Sequence, residues 1–122
     1  MYRIKVTSSF SSAHSLRHYK GKCEALHGHN WKVEATVASN VLDRCGMVID
    51  FGIIKSALKE VLDDLDHKHL NEIEYFKVAN PSSEEIARYI FNEFKKRVIT
   101  PGAKVDSVCV FETDTSCAIY SE

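Results

Sequence analysis

His27-Gly28-His29-Asn30-Trp31-Lys32-Val33-Glu34-Ala35-Thr36-Val37 alternates apolar and polar residues from Trp31 onward, the period-two signature of a half-buried strand. Ala38-Ser39-Asn40 is the polar break that follows it. The two histidines at its start are separated by one residue, so on a strand they point to the same side. Upstream, Ile4, Val6, Ser8 and Phe10 alternate with polar neighbours and predict a first strand. It ends in Phe10-Ser11-Ser12-Ala13-His14, where His14 shares the parity of Phe10 and Ser12. Antiparallel pairing sets the end of the first strand beside the start of the second and brings three imidazoles to one point.

Three neutral imidazoles suit zinc, and a site with three protein ligands keeps a fourth position open for water or substrate. Cys23, four residues before His27, then lies near the metal as a base or nucleophile. Gly28 removes a side chain where the backbone must approach a metal or substrate closely. A His-x-His pair alone is a weak metal signal, and single histidines such as His18 and His69 read as solvated. His14, Cys23 and the second cluster Asp66-His67-Lys68-His69 strengthen it. A structural zinc takes four protein ligands, often paired cysteines. Cys23, Cys45, Cys109 and Cys117 show no such pairing. The pattern therefore points to a catalytic site.

Beyond the second strand, Ile54, Leu58, Val61, Leu62 and Leu65 recur at helical spacing after an Asp50 N-cap, and Asp66-His67 fall at or beyond the helix end. Ser82 and Glu85 form a capping box for a second helix, whose stripe is Ile86, Ala87, Ile90, Phe91 and Phe94. Val105, Ser107, Cys109 and Phe111 alternate in a third strand, and Cys117 to Tyr120 make a fourth. Cys109 and Cys117 read as small core residues. The order predicts an α+β domain spanning 1–122, with a four-stranded antiparallel sheet and both helices on one face. Aliphatic and aromatic residues on both faces of the strands predict that other subunits cover the second face.

The chain has 122 residues, a formal net charge of −1 and a charged fraction of 27%. This composition gives no reason to expect nucleic acid or a membrane surface as a partner. No secretory signal or membrane-length apolar run is visible, and the scattered cysteines read as reduced thiols of a cytoplasmic protein.

Several segments together carry a resemblance. They are Phe10 to His14, Cys23 to His29, Gly46-Met47-Val48-Ile49-Asp50-Phe51, Leu65-Asp66-His67 with Leu70-Asn71, Asn80-Pro81-Ser82-Ser83-Glu84, and Phe111-Glu112-Thr113. The chain resembles the 6-pyruvoyl-tetrahydropterin synthase family over its whole length, most closely the bacterial branch that makes 6-carboxy-tetrahydropterin for queuosine, a 7-deazaguanine. The resemblance implies the tunnelling fold, in which subunits join sheets into a barrel, commonly a homohexamer of two trimers, with active sites at subunit interfaces. It implies Zn²⁺ on His14, His27 and His29, a catalytic Cys23 and an Asp66–His67 pair. It also implies Glu112 as the carboxylate gripping the pterin ring, with Ser82 and Ser83 as further substrate contacts. The family commonly carries threonine at one of those two places.

The implied substrate is 7,8-dihydroneopterin triphosphate. Cys23 as thiolate abstracts a carbon-bound proton, Asp66 orients His67, and Glu112 accepts the pterin N–H groups. Arg17, Lys20 and Lys22 are the cations nearest the metal cluster in sequence. Glu24 beside Cys23 resembles a sub-branch carrying the acids of two activities, the second being cleavage to 6-hydroxymethyl-dihydropterin of the folate pathway. Read without the family, Glu24 is one surface acid among many and Asp66 a polar residue past a helix end. Glu112, on an apolar strand, demands a partner if buried. True 6-pyruvoyl-tetrahydropterin synthesis is a further alternative. From another class, the chain reads as a non-catalytic pterin-binding module organised by zinc.

Overall fold

Phe10 pairs with Trp31, Ser12 with His29 and His14 with His27 across the first two strands, so one antiparallel register sets three site histidines at the same end of the sheet. In the computed structural model, which describes residues 1–122, these strands are β1 (Tyr2–His14) and β2 (His27–Ser39). The chain continues through α1 (Phe51–Asp63), α2 (Glu74–Val78), α3 (Ser83–Lys95), β3 (Ala103–Thr113) and β4 (Ser116–Ser121). The strands run antiparallel in the order β1-β2-β3-β4. The predicted four-stranded α+β arrangement is the one observed.

Alternation assigns the two faces. Val6, Phe10, Ser12, His14, Trp31, Val33, Ala35, Val108 and Val110 are buried beneath the helices. α1 presents Ile54, Leu58, Val61 and Leu62, and α3 presents Ile86, Ile90, Phe91 and Phe94. Phe10 stacks on Trp31 with ring centroids 5.8 Å apart. Asp50 caps α1 as expected, its Oδ1 accepting the Gly52 N–H at 2.6 Å.

At α3 the expected capping box is half formed. Ser82 Oγ accepts the Glu85 N–H at 3.2 Å. The Glu85 carboxylate does not reach back; it accepts the Tyr75 hydroxyl at 2.8 Å and faces Arg88. Tyr75 belongs to α2, a five-residue helix that follows a 3-10 turn at Leu70–Glu72. Neither element carries enough residues for a readable periodicity.

The other sheet face departs from expectation. Along β1 and β2 it is polar, with ion pairs Arg3–Asp106 and Lys5–Glu34, and Lys32 lies over the Phe111 ring at 4.4 Å. Apolar character is confined to its β3–β4 side, at Cys109, Phe111, Cys117 and Ile119. Cys109 and Cys117 are therefore not core residues. Cys117 is exposed and Cys109 half-buried, with burial, then the Cys117 thiol, pushing the Cys109 thiol up to about 12. No helix is long and apolar enough to cross a membrane.

Side chains clamp the outer edge of β1 and its continuation. Asp66 Oδ1 accepts the Ser11 N–H at 2.8 Å, and the His67 N–H donates to the Ser11 carbonyl at 2.6 Å. Asn71 exchanges two hydrogen bonds with the Ser15 backbone, at 2.9 and 2.7 Å. Asn80 does the same with Arg17, at 2.8 and 2.9 Å. Each amide mimics a strand neighbour and satisfies a backbone donor and acceptor.

Because Ser82 is an N-cap, Ser82→Ala is expected to cost about 1 kcal/mol of stability. Ser82→Asp should keep most of it. Urea denaturation midpoints at constant slope check both.

Candidate metal centre

The burial of His14 forces its polar atoms to find partners. The side chain is 1% exposed, and Nδ1 lies 2.7 Å from the Pro81 carbonyl at the entry to α3. A carbonyl only accepts, so Nδ1 carries the proton and neutral His14 presents an unprotonated Nε2. His27 repeats this with its Nδ1 2.8 Å from the Ala25 carbonyl. The two Nε2 atoms face each other at 3.2 Å. In the neutral rings that places lone pair against lone pair, an arrangement relieved by a cation between them.

His29 completes the argument. Its Nε2 is buried with no hydrogen-bond partner, a cost of about 1–3 kcal/mol for an ordinary polar atom. Burial is also the main influence pulling its pKa down, which favours the neutral form that a metal requires. Trp31 walls the cluster, its ring centroid 4.9 Å from His14 and 5.1 Å from His29. Trp31 Nε1 donates to the Ser12 carbonyl at 3.2 Å, so the wall is itself fixed.

Donor atoms of His14, His27, His29 and Glu112 all lie within 4.8 Å of one another. The three predicted histidines are thus brought together, and the nitrogen-rich set fits zinc. The backbone carbonyls of Ala25 and Pro81 supply the support that fixes ligand tautomers; no side-chain pattern announces them.

Glu112 joins the same cluster. Its Oε1 lies 3.2 Å from His14 Nε2 and 3.4 Å from His29 Nε2, so one carboxylate oxygen is turned to the histidines. The readable signal was parity, since Glu112 follows Val108 and Val110 on the helix-side face.

The other expected site residues are not among the clustered donors. Cys23 is exposed in the connection between β1 and β2. Glu24, its neighbour, is turned inward: Oε1 accepts the Leu16 N–H at 3.3 Å and lies 3.7 Å from His27 Nδ1. Asp66 and His67 form their pair, Nδ1 donating to Oδ2 at 2.8 Å. The Asp66 carboxyl is held below its usual range, first by the Ser11 N–H and then by His67.

That pair lies along the outer edge of β1, where it bonds the Ser11 backbone. His67 is 83% exposed and lines a shallow depression of about 400 Å³ with Ser11, Ser12, Gly28, His29 and Asn30. Ser82 is occupied as a helix cap, and Ser83 is half-buried beside it. Arg17 is also committed, its Nη2 donating to the Phe76 and Ala79 carbonyls at 2.7 and 3.0 Å. Lys20 and Lys22 remain exposed.

Comparison with known proteins agrees with this geometry. The chain is 39% identical over 125 residues to the 6-carboxy-5,6,7,8-tetrahydropterin synthase of Synechocystis sp., covering 98% of this chain and 93% of that one. It is 36% identical over 122 residues to the Rickettsia typhi protein of the same name, covering 85% and 88%. The structure of Caenorhabditis elegans 6-pyruvoyl tetrahydropterin synthase superposes with a TM-score of 0.87 at 27% identity, covering 99% of this chain and 95% of that one. With residues 3–122 matching the sequence profile of 6-pyruvoyl tetrahydropterin synthase, the chain belongs to that family.

Proposed function

We propose that this chain is a zinc-dependent 6-carboxy-5,6,7,8-tetrahydropterin synthase acting on 7,8-dihydroneopterin triphosphate in the cytoplasm, in the route to queuosine. The observation that carries the chemistry is the convergence of three imidazoles on one point, two of them tautomer-fixed by backbone carbonyls. The relatives bearing that enzyme name carry the choice of product.

His14, His27 and His29 would hold zinc, which when bound supplies Lewis acidity toward the substrate's side-chain hydroxyls. Cys23 is the base that removes a carbon-bound proton, and its exposed loop position leaves it accessible to a bound substrate. Asp66 accepts the Nδ1 proton of His67, which leaves His67 Nε2 free to take and return a proton. Glu112 grips the pterin through its carboxylate, with the hydroxyls of Ser82 and Ser83 at the start of α3 as further substrate contacts.

The Asp66–His67 pair is held at the outer edge of β1 with the His67 imidazole in solvent, and on this reading a working site takes it and the metal cluster from different copies. A homohexamer of two trimers, with sites at subunit interfaces, meets that requirement. Lys20 and Lys22 are the available cations for the triphosphate.

A second product is supported by the placement of Glu24. Cys23 is turned outward while Glu24 approaches His27 at 3.7 Å, so the two groups address different protons of one substrate. Glu24 then starts cleavage to 6-hydroxymethyl-dihydropterin.

Incubation with 7,8-dihydroneopterin triphosphate and identification of products by mass test the assignment directly. One zinc per chain is expected by metal analysis, and His27→Ala should lose it while keeping most of the secondary structure. A His27→Ala protein with full zinc content would remove His27 from the ligand set. Cys23→Ala should retain zinc but lose the carboxy product by about 10²–10⁴-fold, the usual contribution of a general base. Near-normal turnover would transfer that role to another group.

Glu24→Ala should abolish any hydroxymethyl product and spare the carboxy product, with the reverse for Cys23→Ala. Absence of hydroxymethyl-dihydropterin from the unmodified enzyme would reduce Glu24 to a partner of the Leu16 backbone and His27.

A further inference from the structure

We infer that Glu112 is a fourth, exchangeable ligand of the metal centre, closing it until an oxygen of the substrate takes its place. The inference rests on the reading of His14, His27 and His29 as the metal site and adds a resting state to it.

The distances support this geometry. A four-coordinate zinc with ligand bonds of about 2.0–2.1 Å sets neighbouring donor atoms about 3.3–3.4 Å apart, the edge of the tetrahedron. His14 Nε2 to His27 Nε2 is 3.2 Å, His14 Nε2 to Glu112 Oε1 is 3.2 Å, and His29 Nε2 to Glu112 Oε1 is 3.4 Å. The carboxylate oxygen thus keeps from His14 and His29 the spacing that His14 and His27 keep from each other.

Hydrogen bonding does not account for the contact with His29. Despite the 3.4 Å separation, His29 Nε2 has no hydrogen-bond partner. His14 donates from Nδ1 to Pro81, so its neutral ring has no proton at Nε2 to offer Glu112. A cation shared by these atoms accounts for both contacts of the carboxylate.

The backbone places Glu112 there. Phe111 pairs with Cys117 and Thr113 with Ser116, leaving Glu112 as the additional residue of a bulge in β3. Bulges re-aim a side chain at the point where regular pairing ends. The ligands also differ in freedom. The His14 side chain is 1% exposed and Glu112 is 35% exposed, so the carboxylate is the donor that can leave without opening the core. The incoming ligand has to be an oxygen donor, and adjacent hydroxyls suit a position held by a carboxylate. Once displaced, Glu112 is free for the N–H groups of the same substrate.

The test uses the full-length protein stripped of metal and titrated with Zn²⁺ or Co²⁺ alone, with visible absorption of the Co²⁺ form. Glu112→Gln should weaken Zn²⁺ binding by at least about tenfold, within the range seen when a metal site loses a supporting group, and should alter the Co²⁺ spectrum. Glu112→Asp, which keeps the carboxylate, should recover part of the affinity and controls for a folding defect. With saturating neopterin the spectra of the unmodified and Glu112→Gln proteins should converge, because the carboxylate is displaced in the first and absent from the second. Unchanged affinity and an unchanged Co²⁺ spectrum in Glu112→Gln would overturn the inference while leaving the three-histidine site intact, provided His27→Ala loses metal. Failure of the unmodified protein to bind either ion would overturn the metal reading itself, and this inference with it.

Discussion

The register between β1 and β2 is the constraint on which the site depends. With His14 opposite His27 and Ser12 opposite His29, the imidazoles share a face and an end of the sheet. A slip of one residue would send one strand's set to the opposite face, because side chains alternate with period two. The Phe10–Trp31 stack resists such a slip from the core side. From the edge side, Asp66, Asn71 and Asn80 grip Ser11, Ser15 and Arg17 through side-chain mimics of strand pairing. The Asp66–His67 segment therefore has structural as well as chemical importance: it fixes the strand that delivers His14.

The protein carries a cost at this point that metal binding, under the proposed function, offsets. Two lone pairs oppose each other across 3.2 Å, and a third buried nitrogen has no partner. Such groups destabilise the metal-free fold. A cation bound only by the folded chain stabilises it by mass action, about 2.7 kcal/mol when its free concentration is a hundred times the dissociation constant. Metal affinity and fold stability are thus linked through the same atoms. Pro81 joins α3 to that linkage, since its carbonyl holds His14 immediately before the helix cap at Ser82.

Much of this was legible in the residues. Alternation in Ile4 to Phe10 and Trp31 to Val37 located the central strands, and the parity of His14 identified it as a partner for the His-x-His pair. The stripes of α1 and α3 and the Asp50 cap were equally readable because periodicity repeats over several turns. The five-residue α2 offers no such repetition. Glu85 could not be read as a partner of Tyr75, because that contact joins two elements whose relative placement is tertiary. Cys109 and Cys117 looked like core residues on apolar character alone, but alternation places them on the sheet's other face. The Ala25 and Pro81 carbonyls were invisible because every residue has one.

The least legible feature is the separation of Asp66–His67 from the histidine cluster, and its origin is local backbone geometry. His67 adopts a φ of 55°, a left-handed conformation uncommon outside glycine. That conformation accompanies a hydrogen bond from its N–H to the Ser11 carbonyl while the imidazole stands in solvent. Sequence proximity to a helix end could place Asp66 and His67 past α1 but not assign them to a side of β1. His67 then lines a depression with Ser11, Asn30 and His29 at the edge of the sheet. Its imidazole stands in solvent while that of His14 is buried. Under the proposed function, assembly is what creates the active site, so a substitution that weakens subunit contact would remove turnover while leaving metal binding within each chain unaffected.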